Sequence, residues 1–296
     1  MKQQRVSAPP WFEMPSPFDP HGGRVLMLEP PWACAEALRS QLLDETYTKP
    51  YVLDDGERRF LHFDGRLTQS AMRLAEPNDL DLRYTQKMMS FLLFRSRPRR
   101  LLLIGLGGGS LVKFCHYRLP ATHMTVLENN PDVIALRDAF LVPPDGPNLK
   151  VQEADGAEYL EQTEKGIDVL LVDAFDSTGF APSLANREFF EQARSKLAGS
   201  GMLVVNLAGD AQTYAGLIGV VMQVFDDQVI MFPVREDHNY VLLAFRDPVF
   251  EPNWRRLRDL AKELRSKYGL DFPTFLEKIE RSAKLGLARR EAGRRY

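Results

Sequence analysis

Leu101-Leu-Leu-Ile-Gly-Leu-Gly-Gly-Gly-Ser110, followed downstream by Val126-Leu-Glu128, decides the fold. Four apolar residues in a row read as a buried strand. The glycines after them read as a tight turn whose backbone can press against a ligand. Glu128 closes a second apolar run that begins at Met124. An acid at the tip of the next parallel strand can accept hydrogen bonds from both ribose hydroxyls of a nucleotide. Glycines at such a turn often do no more than let a helix pack closely, so it is the pairing with Glu128 that points to a nucleoside-binding α/β domain. The competitor is an NAD-type dehydrogenase, which wants a third glycine where this chain has Ser110.

Outward from this stretch, strands and helices alternate from Leu101 to about Arg246. The pattern predicts strands at 101–105, 124–128, 149–153, 168–173, 202–207, 228–232 and 239–245. It predicts helices at 110–118, 131–140, 156–162, 187–198 and 210–224. Such alternation builds a mostly parallel sheet covered on both faces. The last two strands have no helix between them and read as an antiparallel hairpin. Tyr84 to Phe94 has helical spacing, and Arg95-Ser-Arg-Pro-Arg-Arg100 breaks it. That basic run reads as a solvated turn in preference to a phosphate site.

The predicted domains follow from these patterns. Residues 1–23 carry Pro9, Pro10, Pro15, Pro17 and Pro20 and read as a loosely ordered arm. Residues 24–83 read as a small β domain, with two strands around Asp55-Gly56 and a short helix over 33–43. Residues 84–250 form the nucleoside-binding catalytic domain. Residues 251–296 are helical, with Trp254, Leu257, Leu260, Ala261 and Leu264 on one face and a basic tail after them.

Composition narrows the function. A net charge of −2 argues against a general nucleic-acid partner. Cys34 and Cys115 give neither a disulfide framework nor zinc spacing, and both are expected as buried thiols. The five histidines form no ligand pair, so no metal is expected. No apolar run reaches membrane-span length and the N-terminus lacks a signal-peptide core, so a cytoplasmic protein without a membrane partner is expected.

Two acidic segments fall where a nucleoside site needs them. Asp155-Gly156 follows the third strand. Asp155 can accept from an exocyclic adenine amine while Gly156 lets the ring lie close, and Asp155 also suits the N-cap of helix 156–162. Asp173 and Asp176 follow the fourth strand, at the sheet edge where ligands bind. Two carboxylates there suit a cationic ligand or a proton acceptor.

With these residues in view, the run from about Tyr51 to Leu207 resembles the spermidine synthase superfamily, the polyamine aminopropyltransferases and their relatives. The matching pieces are Phe63-Asp-Gly-Arg-Leu-Thr-Gln69, Tyr84 with Met88-Met89, Gly105-Leu-Gly-Gly-Gly109, Glu128, Asp155-Gly156, Asp173-Ala-Phe-Asp176 and Leu184 to Phe190. The resemblance implies a small N-terminal β domain before a Rossmann-like, class I methyltransferase-type doubly wound sheet, usually in a homodimer. It implies a sulfonium nucleoside as co-substrate: decarboxylated S-adenosylmethionine in aminopropyltransferases, S-adenosylmethionine in methyltransferase relatives. By similarity, Gln69 lies near the sulfur, Glu128 holds the ribose and Asp155 reads adenine. Gly105, Gly107, Gly108, Gly109 and Ser110 form the cofactor loop. Asp173 is the catalytic carboxylate, and Asp176 and Tyr84 position a small-molecule acceptor amine. The chemistry agrees, because an alkylamine with a pKa near that of lysine, about 10.4, must lose a proton before it can attack.

The match departs from the family in places. Aminopropyltransferases resembling this chain usually carry Gly-Gly-Gly-Asp, where the acid holds the aminopropyl ammonium; here the position is Ser110. The family's Glu-x-Asp is Glu128-Asn129-Asn130, and a basic Lys87 stands in Tyr84-Thr-Gln-Lys-Met88. A second substrate tyrosine is not evident near Phe232-Pro233. The expected function is aminopropyl transfer to a polyamine-type amine. Methyl transfer from S-adenosylmethionine to an amine of a small molecule or protein comes second, and a catalytically silent nucleoside-binding subunit third. A dehydrogenase ranks last.

Overall fold

The computed structural model describes residues 11–18, 22–63, 68–176 and 179–293, with the backbone alone at 176 and 179. These residues form two compact units. The first holds the described residues up to Asp81 with Gly107–Lys113 and Asn130–Pro144. The second holds Leu82–Leu106, Phe114–Asn129 and the described residues from Asp145 onward.

The first unit is built on an antiparallel sheet in the order β1 (Phe12–Pro15), β2 (Arg24–Met27), β3 (Tyr51–Asp54), β4 (Arg58–His62) and β5 (Thr68–Arg73). Helix α1 (Ala35–Leu43) packs Leu38 and Leu42 into the same core as Phe12, Met14, Val25, Met27 and Tyr51. Over Phe12–Pro15, strand β1 corrects the expectation of a loosely ordered arm; residues 1–10 and 19–21 of that arm lie outside the described residues. Phe12 and Met14 point inward while Glu13 is exposed, a period of two that outweighs the neighbouring prolines. Pro15 ends an edge strand, where a missing N–H is tolerated. The Asp55-Gly56 turn forms as predicted; Asp54 holds it by accepting from the Gly56 amide at 2.9 Å and from Arg59 Nε at 2.9 Å. Cys34 is exposed, against expectation, because it lies ahead of the apolar face of α1; Cys115 is buried.

The second unit begins with α2 (Arg83–Met88) and α3 (Phe91–Phe94), two short helices where one was predicted. Met89 and Ser90 bond to carbonyls three residues back, which tightens the chain and ends α2. Then follow β6 (Arg100–Ile104), α4 (Ser110–Arg118), β7 (His123–Glu128), α5 (Pro131–Ala135), β8 (Leu149–Glu153), α6 (Gly156–Gln162) and β9 (Ile167–Val172). A small hairpin, β10 (Phe175–Asp176) with β11 (Gly179–Phe180), precedes α7 (Arg187–Lys196) and β12 (Leu197–Ala208). Helix α8 (Ala215–Val224), the hairpin β13 (Val229–Val234) with β14 (Asn239–Phe245), and α9 (Trp254–Tyr268), α10 (Phe272–Leu285) and α11 (Leu287–Ala292) complete the chain. The first turn of α4 and all of α5 count with the first unit.

The large sheet runs β13-β14-β12-β9-β6-β7-β8. From β12 to β8 all pairings are parallel, and β14 pairs antiparallel with both β12 and β13. Its central strands are apolar on both faces; Leu101 to Ile104 and Val169 to Val172 are all buried. Three of the five helices predicted along this sheet differ in extent. Helix α5 stops at Ala135 because the Leu136 and Arg137 amides donate to carbonyls three residues back, and Leu141 has a left-handed φ of 55°. Helix α7 stops at Lys196 because Leu197 already pairs with Ile167, ahead of a register shift before Met202. The expected helix 210–224 opens as a 3₁₀ turn over Ala211–Tyr214, capped by Asp210. The basic run before β6 is tied down by Asp168, which pairs with Arg95 and accepts from the Arg99 and Arg100 amides. No described helix is long and apolar enough to cross a membrane.

Candidate active site

The chain enters the large sheet at β6, moves outward through β7 and β8, and returns to β9 on the other side of β6. Loops leaving β6 and β9 therefore diverge, the place where doubly wound sheets bind ligands. Gly105 follows β6 and Asp173 follows β9. The Asp173 amide donates to the Ile104 carbonyl at 2.9 Å. Gly105 has φ +98°, and a Cβ there would stand 2.1 Å from the Asp173 carbonyl oxygen. Its need for glycine thus arises from two backbones passing closely.

The Asp173 side chain is partly buried and fully ordered by neighbours. Its Oδ2 accepts from the Tyr84 hydroxyl at 3.3 Å and its Oδ1 from Asn206 Nδ2 at 2.9 Å. Asn206 in turn accepts from Asn239 Nδ2 at 2.8 Å. Burial pushes the Asp173 carboxyl up to about 6, against the downward pull of the Asn206 and Tyr84 hydrogen bonds. Burial, with the Asp173 charge beside it, holds the Tyr84 phenol well above its ordinary value. The Tyr84 amide donates to Asp237 Oδ2 at 2.6 Å, a cap that Leu82, at the N-cap of α2, has no side chain to supply. A carboxylate poised in this range can orient a cationic amine and take its proton.

Lys87, one turn on from Tyr84, is buried and donates to Glu236 Oε2 at 2.7 Å. Burial holds its ammonium below the ordinary lysine value, while the hydrogen bond from Lys87 holds Glu236 below the carboxylate range. The two shifts oppose each other in what they say of the pair. The short hydrogen bond decides for a charged pair, since Glu236 remains half in water and is stabilised as the anion.

Glu128 ends β7 nearly buried, and its Oε2 accepts from the Leu106 amide at 2.9 Å. That bond fixes the carboxylate beside the β6 turn. Asp155 acts as the N-cap of α6: Oδ1 accepts from the Ala157 and Glu158 amides at 2.7 and 3.2 Å, and Oδ2 accepts from Ser183 at 2.9 Å. A Cβ at Gly156 would meet the Ile104 side chain at 2.7 Å, so packing on β6 by itself requires glycine there. Asp176 has its backbone in β10; its side chain lies outside the described residues. Gly105, Glu128, Asp155 and Asp173 thus stand at the carboxyl ends of four neighbouring strands.

The remaining predicted residues belong to the first unit. Gln69 is partly buried on β5. The Ser110 hydroxyl donates to the Ala71 carbonyl at 3.3 Å. A Cβ at Gly108 would stand 2.7 Å from Ser70 Oγ, one at Gly109 2.3 Å from Val142, while Gly107 has Ser70 Cβ at 3.9 Å. Lys113, wholly buried, donates to the Phe140 carbonyl and to Met72 Sδ, both at 2.8 Å. Among the described residues no group of three or more His, Cys, Asp or Glu side chains could hold a metal ion.

Sequence reasoning missed Asn206, Asn239 and Asp237. The one signal there was an amide interrupting the apolar run Leu203-Val-Val-Asn-Leu207. A buried amide inside a sheet is costly unless bonded, so its presence there implies a fixed hydrogen-bond partner.

Comparison with known proteins supplies the context. Residues 82–212 match the profile of the spermine/spermidine synthase domain. The polyamine aminopropyltransferase of Chromobacterium violaceum is 34% identical over 232 residues, covering 78% of this chain and 89% of that protein. A spermidine synthase solved in complex with the transition-state analogue AdoDATO superposes with a TM-score of 0.62 over 99% of this chain and 97% of that one, at 16% identity. Human methyltransferase-like protein 13 in complex with SAH superposes with a TM-score of 0.58 over 64% of this chain and 93% of that one, at 21% identity. The two structural likenesses concern the fold, a sheet architecture that aminopropyltransferases and methyltransferases share.

Proposed function

Because the chain belongs to the spermine/spermidine synthase family, we propose that it is a polyamine aminopropyltransferase that moves the aminopropyl group of decarboxylated S-adenosylmethionine to a polyamine-type amine. The observation that carries this reading is the Asp173 carboxylate, held by Tyr84 and Asn206 at the switch point of the sheet.

In the proposed reaction the acceptor nitrogen attacks the aminopropyl carbon bonded to the sulfonium. The C–S bond breaks, its electron pair returns to sulfur, and a neutral thioether nucleoside leaves. Asp173 orients the ammonium of the acceptor and takes its proton, which exposes the lone pair. Tyr84 fixes which carboxylate oxygen faces the amine. Holding both reactants in line supplies much of the remaining acceleration. Glu128, already set by the Leu106 amide, is assigned to the ribose, and Asp155 to adenine. Gln69, Gly107, Gly108, Gly109 and Ser110 keep their cofactor roles, and Asp176 its substrate role, on the family likeness. The same likeness supports a homodimer.

Ser110 favours a second reading. The family acid that holds the aminopropyl ammonium is absent, and the hydroxyl in its place is turned to the Ala71 carbonyl. Without that acid, S-adenosylmethionine keeps its carboxylate unopposed, and methyl transfer to an amine becomes the alternative. The test is to incubate the protein with either nucleoside and a series of linear diamines, following methylthioadenosine and S-adenosylhomocysteine by mass spectrometry. Amine-dependent release of methylthioadenosine is expected. Methylated amine and S-adenosylhomocysteine in its place would overturn the main reading in favour of the second, and absence of turnover would leave the silent subunit.

A further inference from the structure

The turn between β13 and β14, residues 235–238, touches Tyr84 directly, and Asn239, which opens β14, reaches Asp173 through Asn206. Asp237 receives the Tyr84 amide, Glu236 holds Lys87 one turn along the same helix, and Asn239 feeds the Asn206 amide that bonds Asp173. Lys278 of α10 also reaches Glu236, at 3.6 Å. Asn206 and Asn239 are buried, at 2% and 7% exposure, on strands that are mostly apolar. They are not direct cross-strand partners: Asn206 faces Val241, and Asn239 lies two residues along on the same face, within diagonal reach.

The chemistry fixes the direction of the relay. An ionised carboxylate only accepts, so Asn206 must present its NH₂ to Asp173. Its carbonyl then faces the opposite way, and Asn239 supplies the donor that satisfies it. Two amides inside a sheet would each carry a desolvation cost if left unbonded. Here they spend their bonding on one carboxylate oxygen, leaving the other to Tyr84 and substrate.

We propose that Asn206 and Asn239 are positioning residues, which, with Asp237, let the β13–β14 turn set the orientation of Asp173 against Tyr84. This rests on the proposed catalytic role of Asp173. Among the described residues, Tyr84 and Asp173 act on each other, and Asp237, from the turn, acts on Tyr84.

The test replaces Asn206 by leucine, which keeps the bulk and removes the donor, and reads the Asp173 carboxyl by carbon-13 NMR titration in the free protein. Loss of one hydrogen bond to the charged form should raise the Asp173 titration by about one pH unit. The acid limb of kcat/KM should move by the same amount, with KM for the nucleoside unchanged. Asn239→Ala leaves the Asn206 donor in place without its anchor, so a smaller rise in the same direction is expected, and it serves if Asn206→Leu does not fold. A folded Asn206→Leu or Asn239→Ala protein whose Asp173 titration stays at the wild-type value would overturn the proposal. Because the titration needs no turnover, the two readings separate. A moved titration in a chain that transfers nothing would sink the enzymatic reading and keep the relay, whereas an active wild type with unmoved variants would do the reverse.

Discussion

The Tyr84 hydroxyl lies 3.3 Å from the Asp173 carboxylate, joining helix α2 to the loop after β9 at the switch point of the sheet. The contact links a phenol that burial keeps protonated to a carboxyl that burial keeps near neutrality. In the proposed reaction, this pair holds the acceptor carboxylate in one orientation and leaves it able to take a proton near pH 7.

Asp173→Asn removes the acceptor while keeping the shape. If Asp173 is the general base, kcat should fall by about 10²–10⁴-fold. Binding of the nucleoside, measured by calorimetry, should change little. Retention of wild-type kcat would show that another group takes the proton.

The same substitution should affect stability with a definite sign. The folded-state carboxyl titrates near 6, above its ordinary 3.8, so the folded chain holds its proton more tightly than the unfolded chain. Wild-type stability from this group is therefore full below about pH 4 and is lost as pH rises through 6. Asp173→Asn should be more stable than wild type at pH 8, by roughly 2–3 kcal/mol at most, with the advantage vanishing near pH 4. Urea unfolding across that window measures it.

Tyr84→Phe deletes the hydroxyl that pulls the Asp173 value down. The acid limb of kcat/KM, expected near pH 6 in the wild type, should move upward. Turnover at pH 8 should fall about tenfold, the scale of one hydrogen bond at about 1.4 kcal/mol. A pH–rate profile superposable on the wild type would show that the hydroxyl does not bear on Asp173 during turnover.

Gly105→Ala places a Cβ 2.1 Å from the Asp173 carbonyl oxygen, in a backbone region of positive φ. Both strain and overlap oppose it, and a loss of about 2–4 kcal/mol is expected, read as a fall in urea midpoint. Because the clash falls on the backbone of Asp173, activity at a temperature where the variant is folded should drop as well.

Lys113→Met tests a residue outside the proposed chemistry. Burial, with Arg59 nearby, lowers the Lys113 ammonium to about 7. The unfolded chain holds that proton up to its ordinary 10.5, so wild-type stability should rise as pH climbs from 7 toward 10.5. The methionine variant should lack this slope, and thermal melts at pH 7 and 9.5 would show the difference. A wild-type melting temperature with no such rise would mean that the amine stays charged in the fold.

What the sequence determined by itself was the order of strands and helices, the turn after Leu101–Ile104, and the acids at strand tips. These follow from local causes: a period of two or 3.6, a glycine where a chain must turn, an aspartate where a helix begins. They placed Gly105, Glu128, Asp155 and Asp173 at one edge of one sheet. Tertiary structure decided what each does there. Gly105 and Gly156 owe their lack of a side chain to Asp173 and Ile104, and Phe12–Pro15 became a strand because its alternating face found Val25 and Met27. Tertiary structure alone recruited Asn206, Asn239 and Asp237. Their contacts join residues 33 to 153 positions apart, and the one between Asn206 and Asn239 depends on the antiparallel register of β12 against β14, which no local pattern encodes.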